Sequence, residues 1–524
     1  MNHLRRVCTT HSLARFPCPR HVSSACVGSW KYLSSSSTTA PPPRPRFPFF
    51  STAAATKDLE VVEDSSSSDS TTFFPKDQSL PIKIETPGGV PIHLYTHEIE
   101  TQALDQLHAL ATSPLPTAYV SALPDVHLGK GVTIGSVFAS RDYICPHAVG
   151  VDIGCGMAAV PIEHLYAWDL QRTTPDNGTE PLPVLKRIQQ QIQKRIPTGF
   201  EQRQEALPGN QQVLDEISKR ITPTEYLQRQ LKQSKKAVTQ LGTLGGGNHF
   251  LELVYQQDNG QVWVLLHSGS RNIGNRVATH YHNIAKQWML DNNHPQDPTT
   301  QQKLLRQGIH YMPIESKQGQ EYLTDMEWCQ QYAFQNRRIM KEIMLDIVRQ
   351  ETGKQPMHNH AINIHHNYCT CEDCGEYGKL WVTRKGATSA KDGEFGIIPG
   401  SMGTGSYITR GKGNLDSWNS SSHGAGRKMS RTKAHADITQ DGFEQAMKGI
   451  LCDTHPAVKD EAPQAYKDLT QVMANQAALT EIVHHLLPLL NVKGFETKIP
   501  KKYQKHKKSN HGKKQNQKKR KQFD

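Results

Sequence analysis

Asp152 and Cys155 stand three residues apart in Val149-Gly-Val-Asp-Ile-Gly-Cys-Gly-Met157, a hard oxygen and a soft thiol inside a run of glycines. Together they could hold a divalent ion, but two ligands do not complete a site, and alone they read as a tight turn with a buried cysteine. Three histidines offer the remainder. His249 lies in Leu244-Gly-Gly-Gly-Asn-His-Phe-Leu-Glu252, His267 opens His-Ser-Gly-Ser-Arg271 after an apolar run, and His366 closes Ala361-Ile-Asn-Ile-His-His-Asn367. A single histidine at the end of a buried run is more often a hydrogen-bonded core residue. Three of them beside a carboxylate and a thiol favour a cluster of one or two ions, and ligands of mixed hardness suit Mn, Fe or Zn.

Two later stretches suit phosphate. Ile398-Pro-Gly-Ser-Met-Gly-Thr-Gly-Ser406 offers backbone N–H groups and hydroxyls, and Ser421-Ser-His-Gly-Ala-Gly-Arg-Lys-Met-Ser-Arg431 sets His423, Arg427 and Arg431 at intervals of four. Neither is a P-loop or a dinucleotide fingerprint. A histidine flanked by small residues and arginines could attack phosphorus as a neutral imidazole, with the arginines and a metal neutralising the developing oxygen charge.

These residues need elements to place them. Val149, Val151 and Ile153 read as a short buried strand ending in a glycine turn, because Gly150, Gly154 and Gly156 permit positive φ and close approach. Val262 to Leu266 and Leu380 to Thr383 read as further strands, Met326 to Arg349 and Gln476 to Leu490 as helices. That mixture, with no regular βαβ spacing and no internal repeat, predicts an α+β fold with mixed sheets, surrounding helices and a metal-containing cleft. No Pro/Ser-rich break interrupts it, so residues 81–494 form one large domain.

The ends differ in composition. Residues 1–57 hold eight Lys or Arg and no acid, with no apolar signal core, which predicts an organelle transit peptide, mitochondrial in preference to plastid. Were it no targeting signal, the protein would be cytoplasmic. Residues 58–80, with four consecutive serines, read as a linker, and 495–524 as a disordered basic tail. Residues 501–524 carry eleven Lys or Arg against one Asp, a source of salt-sensitive attraction to a polyanion. The net charge of +12 less +8 and +10 at the ends leaves −6 between them, so the basic balance belongs to the termini. No run of about 18 apolar residues suggests a membrane span. Ten irregular cysteines argue for a reducing compartment.

Seven motifs in order, Asp125-Val-His-Leu-Gly-Lys-Gly131, the Asp152/Cys155 stretch, Gly-Thr-Leu-Gly-Gly-Gly-Asn-His-Phe250, His267-Ser-Gly-Ser-Arg, His365-His-Asn-Tyr, Pro399-Gly-Ser-Met-Gly and Ser422-His-Gly-Ala-Gly-Arg, resemble the RtcB family of RNA-splicing ligases over residues 80 to 494. The resemblance is closest to the bacterial-type branch. It implies GTP- and Mn²⁺-dependent joining of an RNA 3′-phosphate or 2′,3′-cyclic phosphate to a 5′-hydroxyl, in tRNA splicing or RNA repair. On that resemblance Cys155 would bridge two Mn²⁺ ions, one completed by His267 and His366, the other by Asp152 and His249. His423 would form the histidine–GMP intermediate. Asn248, Glu252, Ser401, Ser406, Tyr466 and Lys493 would make the guanylate pocket. Asp125 and His127 would assist the opening of a cyclic phosphate, and Arg271, Arg427 and Arg431 would hold phosphates or the RNA end. A monomer with RNA and GTP as partners is implied, with an archease-like activator as in some members. Two other functions remain open at this point: a Mn-dependent phosphohydrolase of RNA ends that forms no guanylate, and an inactive RNA-binding scaffold.

Two features depart from the family pattern. Asn272 replaces a glycine in Ser-Arg-Gly-Ile-Gly, and Cys369, Cys371 and Cys374 form a Cys-x-Cys-x-x-Cys cluster that could take zinc but lacks a clear fourth ligand.

Overall fold

In the computed structural model, which describes residues 70–173, 178–199 and 201–494, two large sheets carry most of the residues expected to do chemistry, and a small two-stranded sheet, Ala387–Ser389 with Ser420–Ser422, leads into His423. The predicted leader, most of the linker and the basic tail lie outside the described residues. All described residues belong to one compact unit.

The larger sheet has seven antiparallel strands in the order Ile362–His365, Gly156–Tyr166, Gln261–Ser268, Phe250–Gln256, Thr480–Lys493, Ser406–Gly411, Phe395–Pro399. Its first and last strands come close together, so the sheet curls around its own interior. Alternation assigns the faces. Val262, Val264 and Leu266 look outward onto the helices Pro183–Arg195 and Lys317–Thr352, while Trp263 and Leu265 look inward with Met157, Val254 and Ile408. A strand buried on both faces reads as an unbroken apolar run, which is why Val262 to Leu266 is legible as a strand.

The second sheet has six strands in the order Asn367–Asp373, Lys379–Lys385, Ile134–Ser140, Val120–His127, Ile92–Leu94, Ile82–Ile84. One pair, Ile92–Leu94 with Val120–His127, is parallel and the others are antiparallel. Strands mixed with segregated helices make the fold α+β, as expected. Among the described residues no helix is long and apolar enough to cross a membrane.

The helix expected over Met326 to Arg349 is the centre of Lys317–Thr352. Ser316 caps its N-terminus by accepting from Gly319 N, and Gly353 ends it in the left-handed region at φ 72°. Two expectations are corrected. Gln476 to Leu490 is not a helix, since the strand Thr480–Lys493 occupies most of it. That strand is central, and a bulge beside Leu253 and Val254 breaks its alternation, leaving a leucine-rich run without period two. Val149 to Ile153 is not a strand either. Pro146–Val149 is a short helix, Gly150 and Gly154 turn at φ 99° and 71°, Val151 is exposed, and the strand starts only at Gly156.

Candidate active site

The sheet register delivers the side chains expected as ligands to one place. His267 near the end of Gln261–Ser268 pairs with Met157, and Phe250, next to His249, pairs with His267. His366 follows Ile362–His365, and its N–H donates to Cys155 O at 2.8 Å. Cys155 Sγ therefore lies 3.2 Å from His267 Nε2 and 3.4 Å from His249 Nε2, and these three ligand atoms lie within 4.8 Å of one another. His366 Nε2 is 2.8 Å from His267 Nε2, and Asp152 Oδ2 is 3.0 Å from His249 Nε2. Asp152 is held in turn by Ser270 N, which donates to Oδ1 at 3.0 Å. All five expected ligands are brought together.

The proton inventory tests whether these residues fit a cation. Carbonyl oxygens only accept, so His249 Nδ1 donates to Leu244 O (3.0 Å) and His267 Nδ1 to Asn248 O (3.2 Å). Gly386 N donates to Asn367 Oδ1 at 2.8 Å, which fixes that atom as oxygen; His366 Nδ1, 3.4 Å away, carries its proton toward it. Burial, then neighbouring histidine charge, holds His267 and His366 well below the usual histidine range, so both rings are neutral. Two bare Nε2 lone pairs then face each other at 2.8 Å beside a sulfur, an arrangement that repels itself unless a cation lies among the atoms. Burial, then Asp152, pushes the Cys155 thiol well above its ordinary range, so a thiolate forms here only with positive charge added. The donor set fits divalent ions of intermediate softness.

His423 follows the strand Ser420–Ser422, which pairs with Ala387–Ser389, and its ring centroid is 4.8 Å from that of His366. Its Nδ1 donates to Asp125 Oδ2 at 2.7 Å, and its backbone N–H donates to the same oxygen at 3.1 Å. Asp125 is fully buried, so the carboxylate fixes the tautomer that leaves Nε2 bare. The Ala122–His127 part of that strand departs from its ladder register, and Lys467 Nζ donates to the freed carbonyls of Pro124 (3.3 Å) and Val126 (2.6 Å). Gly386 at φ 61° leaves room for the ring, because a Cβ there would meet His423 Cε1 at 3.0 Å. His127 Nδ1 donates to Asp125 O at 2.8 Å, and burial lowers this imidazole to about 4, so it is neutral.

The other expected residues fall in three groups. Tyr466 OH and Lys493 Nζ each donate to Glu461 Oε2 at 2.7 Å, and Lys493 also lies over the Phe250 ring. Glu252 accepts from Asn491 on the neighbouring strand, and burial raises its carboxyl to about 7. Ser406 opens the Ser406–Gly411 strand with its side chain buried, Ser401 sits in the turn before it bonded to Thr404, and Asn248 is exposed with its carbonyl on His267. Arg427 spends its donors on Met429 O, Glu461, Asp460 O and Tyr466 OH, whereas Arg431 pairs with Asp460 and Glu461 and keeps 44% of its side chain exposed. Arg271, at φ 57°, bonds Thr243 and Gly199 behind His249.

Sequence reasoning missed Glu461, the acceptor shared by Arg427, Arg431, Lys493 and Tyr466; a Lys-Asp-Glu-Ala stretch carries no signal of that role. The Cys369/Cys371/Cys374 cluster does not converge. Cys369 and Cys374 belong to different hydrophobic cores, and among the described residues only Cys155, His249 and His267 form a compact group of three ligand atoms. Asn272 is exposed in the first turn of Arg271–Asp291 and displaces no ligand.

Comparison with known proteins gives a family model described as tRNA-splicing ligase RtcB, which matches residues 106–494. The RNA-splicing ligase RtcB of Escherichia coli is 38% identical over 431 residues, covering 80% of this chain and 98% of its own. The tRNA-splicing ligases RtcB of Archaeoglobus fulgidus (30% identical; 77% of this chain, 95% of its own) and Methanococcus maripaludis (28%; 80% and 98%) are more distant.

Proposed function

The chain belongs to the RtcB family of RNA-splicing ligases, and from that premise we propose that it joins RNA 3′-phosphate or 2′,3′-cyclic phosphate ends to 5′-hydroxyl ends with GTP and Mn²⁺, through a guanylylated His423. The observation that carries the reading is the His423–Asp125 pair beside the ligand cluster: a bare Nε2, its other nitrogen locked to a buried carboxylate, next to the Cys155, His249 and His267 atoms that could hold a metal ion.

In this reading His423 Nε2 attacks the α-phosphorus of GTP, the N–P bond forms, and pyrophosphate leaves. Asp125 balances the positive charge the ring acquires, and its grip on the His423 N–H keeps the ring aimed. The 3′-phosphate oxygen then displaces the histidine and takes GMP. That converts a poor electrophile into one with a good leaving group, and the 5′-hydroxyl expels GMP as the 3′,5′-phosphodiester forms. Cys155 with Asp152 and His249, and with His267 and His366, would hold the Mn²⁺ ions, which supply Lewis acidity and charge neutralisation at phosphate oxygens. Glu252, with a carboxyl near 7, and Lys493 stand in the proposed guanylate pocket with Tyr466, Asn248, Ser401 and Ser406. His127, neutral beside Asp125, suits the proton transfer that opening a cyclic phosphate with water requires. Arg431, with its exposed edge, suits contact with the RNA end better than Arg427. The proposal extends to an organellar setting, mitochondrial before plastid.

Incubation with Mn²⁺ and α-labelled GTP is expected to give an acid-labile, alkali-stable adduct on the chain, as a phosphoramidate should. No adduct, or an adduct that persists in His423→Ala, would remove the nucleophile and leave RNA-end hydrolysis as the better reading.

A further inference from the structure

Arg337 lies in the middle of the helix Lys317–Thr352 and is fully buried. Among the described residues its hydrogen bonds go to neutral groups and no carboxylate pairs with it directly. Nη1 donates to Gly154 O at 2.7 Å and to Ser268 O at 3.1 Å, Nε donates to Asn363 Oδ1 at 2.7 Å, and Nη2 lies 3.2 Å from His365 Nδ1. A guanidinium desolvated in this way is costly to bury, so its place in the core needs a reason.

The partners explain why an arginine stands there. Gly154 precedes Cys155, Ser268 follows His267, and Asn363 lies on the strand Ile362–His365 that leads into His366, so one planar fork grips a segment beside each of three expected ligands; the His365 Nδ1 proton goes to Gly154 O at 2.8 Å. The adjacent Asn336, also buried, grips the fourth segment. Its Oδ1 accepts from Gly242 N (2.7 Å) and Thr243 N (3.3 Å), and its Nδ2 donates to Thr243 O (3.2 Å), Ser268 Oγ (3.2 Å) and Gly269 O (3.1 Å). Thr243 leads into Leu244, whose carbonyl orients the His249 ring. The ligands come from four separate stretches of chain, and the long helix is the element whose side chains bond to all of them.

We propose that Arg337 is a positioning residue for the metal cluster, holding the Cys155, His267 and His366 segments in mutual register, with Asn336 doing the same for the His249 segment. This rests on the metal reading of the site. Outer groups that orient metal ligands typically set affinity by about 10–100-fold, and Arg337 acts on three ligands at once.

The test uses the full chain, with Mn²⁺ binding measured by calorimetry and Co²⁺ binding by its thiolate absorption band. Arg337→Met removes the fork while keeping the stem. It is expected to weaken Mn²⁺ by about 10–100-fold, to lower or shift the Co²⁺ band, and to shrink the rise in Tm that added metal gives. Arg337→Lys can reach only part of the fork and is expected to fall between the two, which keeps the test usable should Arg337→Met not fold. Variants that lose Tm with and without metal alike, but keep wild-type metal affinity and the wild-type Co²⁺ spectrum, would show a merely structural arginine and overturn the proposal. Tighter metal binding in Arg337→Met would overturn it too, by showing that the cation's repulsion outweighs its grip. A wild-type protein that binds neither ion would overturn the metal reading and this inference with it.

Discussion

Replacing Asp125 by asparagine separates orientation of the nucleophile from every other function of the site. In the wild type one carboxylate oxygen accepts both from His423 Nδ1 at 2.7 Å and from the His423 backbone N–H at 3.1 Å. The other oxygen, Oδ1, is buried with no hydrogen-bond partner among the described residues and sits under the Gly135 turn. An asparagine can keep its oxygen toward His423 only by putting its NH₂ into that partnerless space, at a cost of about 1–3 kcal/mol. The opposite flip sets the NH₂ against both the Nδ1–H and the backbone N–H, and the ring relieves this only by moving its proton to Nε2, where it blocks attack. Either way the negative charge that balances the ring in the transition state is gone. A charge-assisted bond is worth about twice a neutral one, and asparagine in place of the orienting aspartate of a serine-protease triad slows turnover about 10⁴-fold. Asp125→Asn should therefore slow single-turnover guanylylation by roughly 10²–10⁴-fold, with GTP affinity and metal content within about threefold of wild type. Rapid-quench labelling with α-labelled GTP, alongside equilibrium GTP binding, measures both. A variant that labels at near the wild-type rate would refute the orienting role, and one whose rate loss follows lost GTP binding would show that Asp125 builds the pocket instead.

Cys155→Ala is expected to lower bound Mn²⁺ at both positions and His249→Ala chiefly at one, read as metal per chain by elemental analysis; unchanged metal in Cys155→Ala would return the thiol to a packing role. Glu461 supplies a pH prediction: burial alone would raise its carboxyl, but Lys493 and Arg431 outweigh that and hold it down to about 2. A folded-state value depressed below the ordinary 4.5 gives stability that is present above about pH 4.5 and lost as the pH falls toward 2, on the order of 3 kcal/mol. Glu461→Gln should flatten that loss in denaturant titrations between pH 5 and 3, and equal slopes in the two proteins would contradict it. Deleting residues 501–524 should leave guanylylation intact and weaken RNA binding mainly at low salt, so loss of guanylylation would show that the tail serves the catalytic unit. A reporter carrying residues 1–60 should enter mitochondria, and a diffuse cytoplasmic signal would count against the targeting peptide.

What could be read in the sequence, and what could not, divides on physical lines. The residues that the structure gathers at the candidate site were legible because their chemistry is rare and their surroundings are glycines: Gly386, Gly150 and Gly154 all take positive φ next to them. The α+β class was legible from the mixture of runs. The Thr480–Lys493 strand was not, because a bulged central strand loses its period and its leucines suit a helix equally well. Glu461 and Arg337 were not, for a different reason. An acid among lysines and an arginine in an amphipathic helix look like solvated residues, and only tertiary contact turns one into the acceptor for four donors and the other into a clamp on three chain segments. Spacing within the chain reports which groups can react. The buried groups that hold them in register are chosen by neighbours 69 and 183 residues away, such as Ser268 and Gly154 for Arg337, and that part of the site exists only once the chain has folded.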